Sequence, residues 1–238
     1  MKLYFHENQN WDPSRYHYAA EQMMLTLFPG EKPEYPDECP SMMTRVGRSV
    51  VFSLSVYDGQ GGVTAQVVHS SKYAAGYHEF SAQDLNGTPE EVYHVLQHAI
   101  KMAFYKAGKE ILGIQPPWGA LTGVRPVKLP TRSLKEGQTA EQAREKLIAD
   151  YDVTPVRADL AMDCAKASLA VDNSLKPDEV SIYVGIPFCP TRCSYCSFVS
   201  SDVHKSLKML PPYVEQLLEE IDATAAALKE AGLTVRSF

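Results

Sequence analysis

Three cysteines cluster late in the chain, Cys189, Cys193 and Cys196, at the spacing C-x3-C-x2-C. Soft thiolates select zinc or iron–sulfur clusters over magnesium or calcium. A structural zinc normally takes four ligands, often as two C-x2-C pairs on separate loops. Here there is one compact triplet and no second pair. His204 would complete a zinc site of the form C-x3-C-x2-C-x7-H, and three unmetallated thiols are the plainest alternative. Three thiolates on one loop also suit three irons of a [4Fe–4S] cluster, leaving the fourth iron open to another ligand. That open position follows the logic of a catalytic metal site.

Other residue types capable of chemistry recur along the chain. His94 and His98 are four apart, the separation of two ligands on one helix face. They fall nearly opposite the apolar stripe of their helix, so a solvated face is expected. Arg125, Lys128, Arg132 and Lys135 recur every three or four residues. They suit either an anion site, for carboxylates or a phosphate backbone, or a solvated helix face. Pro126 and Pro130 are expected to break one continuous face. Glycines in the preceding Trp-Gly-Ala-Leu-Thr-Gly run would let backbone approach a ligand closely. Cys164 is expected as a small core residue, and Cys39 has no partner spacing.

The elements that position these residues follow from periodicity. A strand is expected over 2–6 and a helix over 14–28, with Tyr18, Met23, Met24, Leu27 and Phe28 at loosely helical spacing. Residues 29–40 read as a Pro-rich loop. Residues 49–57 alternate, with Val50, Phe52, Leu54 and Val56 on one face. The run Asp58-Gly-Gln-Gly-Gly62 turns the chain, and 63–68 return with Val63, Ala65 and Val67 inward. Thr88-Pro-Glu-Glu91 opens a helix as a capping box with Pro at the first position. Its face is Val92, Leu96, Ala99, Ala103 and Ala107, and Gly108 is expected to end it. Residues 111–130 are rich in Pro and Gly. Helices are expected over 139–149 and 155–171, the second with Val156, Leu160, Cys164, Ala167 and Val171 on its stripe.

Lys176-Pro-Asp178 marks a domain boundary. Residues 180–184 read as a short buried strand feeding the cysteine loop. A helix over 212–231 follows, with Val214, Leu217, Leu218, Ile221, Ala225 and Leu228 inward and Gly232 as its stop. Residues 234–238 read as a second strand, which completes one βαβ unit. The cysteine loop thus follows the C-terminal end of a parallel strand, where α/β folds place reaction sites. The fold class is α/β, with an N-terminal α+β domain of unknown role over 1–175 and a second domain over 176–238.

The 238 residues carry a formal net charge of −6, which gives no global steering toward nucleic acid or anionic lipid. No run reaches the roughly 20 apolar residues of a membrane span. The N-terminus lacks the apolar core of a signal peptide. A cytoplasmic setting with reduced thiols is expected, and five cysteines argue against a disulfide framework.

The stretch Tyr183-Val-Gly-Ile-Pro-Phe-Cys189-Pro-Thr-Arg-Cys193-Ser-Tyr-Cys196 resembles the cluster loop of radical S-adenosylmethionine (SAM) enzymes. Its Tyr-Val-x-Ile-Pro-Phe-Cys lead-in is similar to the oxygen-independent coproporphyrinogen III oxidase branch. Pro117-Trp-Gly-Ala-Leu-Thr-Gly-Val-Arg-Pro126, with the Pro-Thr-Arg and Ser-Phe of the loop, resembles the HemZ-type coproporphyrinogen dehydrogenases. The resemblance implies that Cys189, Cys193 and Cys196 ligate a [4Fe–4S] cluster, and that the open iron chelates SAM. It implies reductive cleavage of SAM to a 5′-deoxyadenosyl radical. Hydrogen abstraction from a propionate of coproporphyrinogen III and loss of carbon dioxide would follow. Tyr183 matches a tyrosine that contacts SAM, with a core strand residue as its alternative role. Tyr195 matches an aromatic position packed near cluster and SAM. An electron donor such as flavodoxin or ferredoxin is implied as partner.

The loop departs from the oxidases after its third cysteine. They continue with a further cysteine, whereas Ser197-Phe198 follows here, as in haem-binding relatives called haem chaperones. A haem-delivery protein is therefore the first alternative, and a radical SAM enzyme that modifies RNA is the second. The family's domain resembles a (βα)6 partial barrel, of which 176–238 would be the first βαβ unit. The expectation is accordingly a fragment or truncated product, unable to hold SAM productively alone.

Overall fold

The computed structural model describes residues 1–6, 11–36, 38–39, 47–123, 125–194, 196 and 198–238. They form two compact units, Met1–Ser168 and Leu169–Phe238. The division falls within a helix that ends just before Lys176-Pro-Asp178.

Unit 1 starts with strand β1 (Lys2–Phe5), one 3-10 turn and helix α1 (His17–Leu27). Strands β2 (Arg48–Tyr57), β3 (Gln60–His69) and β4 (Lys72–Ser81) then form a meander. The sheet order is β1-β2-β3-β4, with β1 parallel to β2 and the other pairs antiparallel. The first hairpin closes through Asp58 and Gly59, both at positive φ, and Gln60 to Gly62 already belong to β3. Two positive φ values match the twist of flanking strands. Val50, Phe52, Leu54, Val63, Ala65 and Val67 are buried as expected, while Val56 at the strand end is exposed.

The sequence reading missed β4. Its turn is Ser70-Ser71, at φ 52° and 68°, without the Asn-Gly signature of such turns. Only Ala74 and Gly76 of β4 are buried. There the chain presses on helix α2 (Pro89–Leu112): a Cβ on Gly76 would stand 2.0 Å from the carbonyl oxygen of Ala103. The capping box of α2 forms as expected, Glu91 N–H donating to Thr88 Oγ1 and Thr88 N–H to Glu91. Gly108 does not end α2. It lies within the helix, against the side chain of Leu27, and Gly113 at φ 68° is the stop. The main core gathers β1–β4, α1 and α2 around Phe52, Phe104, Met23, Met24, Leu96 and Ile100. On α1 the small residues Ala19 and Ala20 face inward and Tyr18 faces solvent, because close helix packing selects small side chains at that contact.

A helical layer completes unit 1: α3 (Lys128–Lys135), α4 (Ala140–Tyr151) and, up to Ser168, α5 (Pro155–Ser174). Pro130 does not prevent α3. It sits in the first turn, where the missing N–H has no helical acceptor to lose. Thr139 caps α4 with Gln142 as reciprocal partner. The expected stripe of α5 faces the wrong way. Val156 is 75% exposed, Val171 62% exposed, and Leu160 and Cys164 are exposed. The buried face is Ala158, Ala161, Met162 and Ala165, of which Ala158 and Ala161 pack with Leu147 and Val153. Alanine carries little hydrophobic signal, so the periodicity of larger residues misleads here.

Unit 2 holds β5 (Glu179–Ser181), β6 (Phe188–Cys189), β7 (Ser201–Asp202), the single turn α6 (Val203–Ser206), α7 (Leu210–Glu230) and β8 (Thr234–Ser237). β5 and β8 pair in parallel with α7 between them in sequence, as a βαβ unit requires. The predicted inward face of α7 is not buried: no residue of α7 is, and Val214, Leu218 and Ile221 are exposed. Mixed α/β architecture is therefore observed. Among the described residues, no helix is long and apolar enough to cross a membrane.

Gly119 joins the two layers of unit 1. It has φ 57°, and a Cβ there would stand 2.0 Å from the carbonyl oxygen of Tyr151. Gly113 has φ 68° but open space around it. Gly119→Ala is predicted to cost about 3 kcal/mol or more in urea unfolding, against about 1 kcal/mol for Gly113→Ala. Equal costs would show that the close approach at Gly119 does not matter.

Candidate functional site

The cysteine loop of unit 2 is built on a short parallel pairing. Phe188 and Cys189 of β6 lie opposite Ser201 and Asp202 of β7. Ser201 N–H donates to the Pro187 carbonyl at 2.7 Å, so the loop between them has a closed base. Asp202 then caps α6, accepting from His204 N–H at 2.9 Å. Upstream, Tyr213 on α7 donates its hydroxyl to the Gly185 carbonyl at 2.8 Å, and its ring meets Phe188 edge-on at 5.2 Å. These contacts tether the segment leading into Cys189 to the first turns of α7.

Cys189 stands at the base of the loop, and Cys196 N–H donates to the Cys193 carbonyl at 3.0 Å, a tight turn. All three thiols are free; Cys193 is exposed and the other two are half-buried. Three soft thiols on one loop fit an iron–sulfur cluster in kind. Among the described residues, no three His, Cys, Asp or Glu side chains stand close enough to hold a metal ion. The loop therefore presents the donors without converging them, with or without His204. Tyr183 lies beyond the end of β5 and is 83% exposed, so it is not a core strand residue. It lines a cleft of about 880 Å³ with Gly185, Tyr213, Leu217, Ile221 and Val235. Tyr195 and Ser197 lie outside the described residues.

Unit 1 holds a second group of chemistry-bearing residues. Arg125, Lys128, Arg132 and Lys135 come together along and just before α3, all exposed, and line one cleft of about 690 Å³. The expected break at Pro130 does not separate them. The Trp118–Gly123 run does not bring Gly119 to a ligand; Gly119 lies against Tyr151 and Asp152 of unit 1 itself. The two histidines part company. His94 is exposed beside Glu90, whereas His98 packs edge-on between His78 of β4 at 4.9 Å and Tyr151 at 5.0 Å. His98 is thus no member of a solvated face. Sequence reading missed His78 because it missed β4. It missed Lys101 although His94, Gln97, His98 and Lys101 follow the spacing of one helix face.

Burial pushes the His98 imidazole below its ordinary pKa, although Asp150 opposes this. Burial, with the charges of His98 and Lys106, pushes His78 down to about 4. A histidine with a depressed folded pKa binds fewer protons folded than unfolded. Its contribution is complete above the unfolded value near 6.5 and is lost as pH falls toward about 4. Lowering the pH from 7 to 5 is predicted to remove at most about 2 kcal/mol through His78. His78→Phe should flatten that slope in urea unfolding at the two pH values; an unchanged slope assigns it elsewhere.

Comparison with known proteins gives one informative match. The chain is 33% identical over 153 residues to the "Oxygen-independent coproporphyrinogen-III oxidase-like protein HemZ" of Bacillus subtilis, which covers 63% of this chain and 30% of that protein. The chain thus spans less than a third of the length of the curated relative it matches. No family model matches it, and no solved structure does. The HemZ-type resemblance carried by the cysteine loop and the Pro117–Pro126 segment is borne out by this relative.

Proposed function

We propose that this chain supplies the cluster-binding loop of a radical SAM oxidoreductase of the coproporphyrinogen-oxidase type, working in the cytoplasm on a porphyrinogen. The observation that carries this reading is the C-x3-C-x2-C triplet on a closed loop after β5, a strand paired in parallel with β8. The HemZ-like relative supports the choice of branch. In this reading unit 2 begins a (βα)6 partial barrel.

Cys189, Cys193 and Cys196 would hold a [4Fe–4S] cluster as thiolates, and Tyr183 and Tyr195 would contact SAM. The bound group supplies one-electron reduction of the SAM sulfonium. The chain's own residues hold and orient. Tyr213 pins the Gly185 carbonyl, and β6 with β7 closes the base of the loop. The exposed Tyr183 ring offers a flat apolar face with a hydroxyl at its tip, suited to an adenosyl group. The electron would come from a small carrier of the flavodoxin or ferredoxin kind.

Haem delivery has one observation in its favour, Ser197-Phe198 after the third cysteine. Anaerobic titration with haem and with coproporphyrinogen III separates the two: haem taken up and coproporphyrinogen III left unbound would favour delivery.

Anaerobic reconstitution with ferrous iron and sulfide is expected to load about four irons per chain, with visible iron–sulfur absorption. Each of Cys189→Ser, Cys193→Ser and Cys196→Ser should abolish most of that loading. Tight stoichiometric zinc uptake with no iron–sulfur absorption would overturn the reading, and loss of zinc in His204→Ala would then identify the fourth ligand.

A further inference from the structure

Unit 1 contains a cleft of about 750 Å³ between α2, the segment leading into α3, α3 itself and the end of α4. Four cations line it: Lys101, Arg125, Lys128 and Arg132. Among the described residues, none of the four has a carboxylate within ion-pair distance, and no carboxylate lines this cleft. Like charges gathered around one concavity repel, so the arrangement costs stability unless an anion offsets it. Lys101 is half-buried, and burial pushes its ammonium below the ordinary lysine pKa. Arg125, Lys128 and Arg132 also line the neighbouring 690 Å³ cleft, so the cations form a ridge with a hollow on either side. Glu136 is the acidic residue lining that second hollow.

The rest of the larger cleft is mixed: His94, Gln97, His98 and Thr122 add neutral polar groups. Ala120, Leu121, Pro126 and Leu129 contribute apolar surface, and Tyr151 contributes a ring. A phosphodiester strand needs cations along an open groove, with flat rings for its bases. This cleft instead gathers cations around a partly apolar concavity, at a volume within the roughly 300–1,000 Å³ of small-molecule sites. Guanidinium groups pair with carboxylates in bidentate geometry, and Arg125 and Arg132 supply two of them.

We propose that this cleft binds an amphipathic polycarboxylate, an apolar body bearing several carboxylate groups. The site lies in unit 1 and uses none of the cysteines. The specific choice of a tetrapyrrole as that body rests on the function proposed above; the polycarboxylate class does not. Unit 1 then acts as a holding site for such a ligand.

The test uses the whole chain and coproporphyrin III, the stable oxidised tetracarboxylate, followed by its fluorescence. Saturable binding is expected, weakening with added salt and weaker for a dicarboxylate porphyrin. Arg125→Ala/Lys128→Ala/Arg132→Ala should weaken it about tenfold or more, and Lys101→Met should weaken it separately. The first three side chains are exposed, so circular dichroism should show that variant folded. Binding unchanged in both variants overturns the proposal. Displacement by single-stranded RNA at lower concentration than by coproporphyrin also overturns it, in favour of a phosphodiester site. The Cys189→Ser/Cys193→Ser/Cys196→Ser chain should bind coproporphyrin normally; loss of binding there would move the site to the cysteine loop. Failed cluster loading with intact porphyrin binding would overturn the function above and leave this site standing.

Discussion

The carboxylate of Asp152 joins the two layers of unit 1, and the cleft depends on that joint. Asp152 follows α4 at φ 54°, a left-handed conformation that Asp tolerates better than most residues. Its Oδ2 accepts from the Tyr105 hydroxyl at 2.6 Å and from Lys109 Nζ at 2.5 Å, both on α2. Its backbone carbonyl accepts from Gln115, and the neighbouring Tyr151 carbonyl accepts from Ala120 N–H at 2.7 Å. A hydrogen bond to a charged group contributes about 1.5–3 kcal/mol. The Lys109 pair is partly exposed and contributes less. Tyr105 is fully buried, so its hydroxyl has no water to turn to if the carboxylate is removed. Burial and the Asp152 charge together push that phenol well above its ordinary pKa, which keeps it a donor at every working pH.

From this joint the positions of the cleft residues follow. α2 is held on the sheet by the close approach at Gly76 and on α1 by the one at Gly108, where a side chain would collide. That fixes His94, Gln97, His98 and Lys101 on the opposite wall from α3. Gly119 lets the Trp118 segment come within contact of the end of α4, and Arg157 of α5 lies over the Trp118 ring at 5.7 Å. The cations of α3 are thus presented by a layer anchored on both sides, not by a loose loop.

Local chemistry was legible in the sequence, and assembled chemistry was not. The Asp58-Gly59 hairpin, the Thr88 cap and the C-x3-C-x2-C loop each depend on residues a few positions apart. β4 escaped because Ser70-Ser71 makes a turn usually made by Asn-Gly, and because only two of its residues are fully buried. α5 was read with the wrong face inward because its contact surface is alanine, which packs closely but weighs little in a periodicity. The basic row was visible by spacing, yet its helix was discounted over Pro130, whose place in the first turn decides the matter. The cleft itself draws on α2, the segment before α3, α3 and the end of α4, and no window along the chain contains all four.

The two units differ in what holds them. Unit 1 has a core of buried side chains spanning the sheet, α1 and α2. In unit 2 no described residue is buried, and the apolar face of α7 looks onto the 880 Å³ cleft with Tyr183 and Val235. What orders unit 2 is therefore mostly backbone pairing: β5 with β8, β6 with β7, and the Tyr213–Gly185 tether. Such pairings are weak without burial behind them. Metal binding by thiolates supplies folding free energy, because a preformed site rarely exists without the metal. The unconverged thiols of Cys189, Cys193 and Cys196 fit that coupling: in the function proposed here, ligation would draw the loop together and order the unit that carries it.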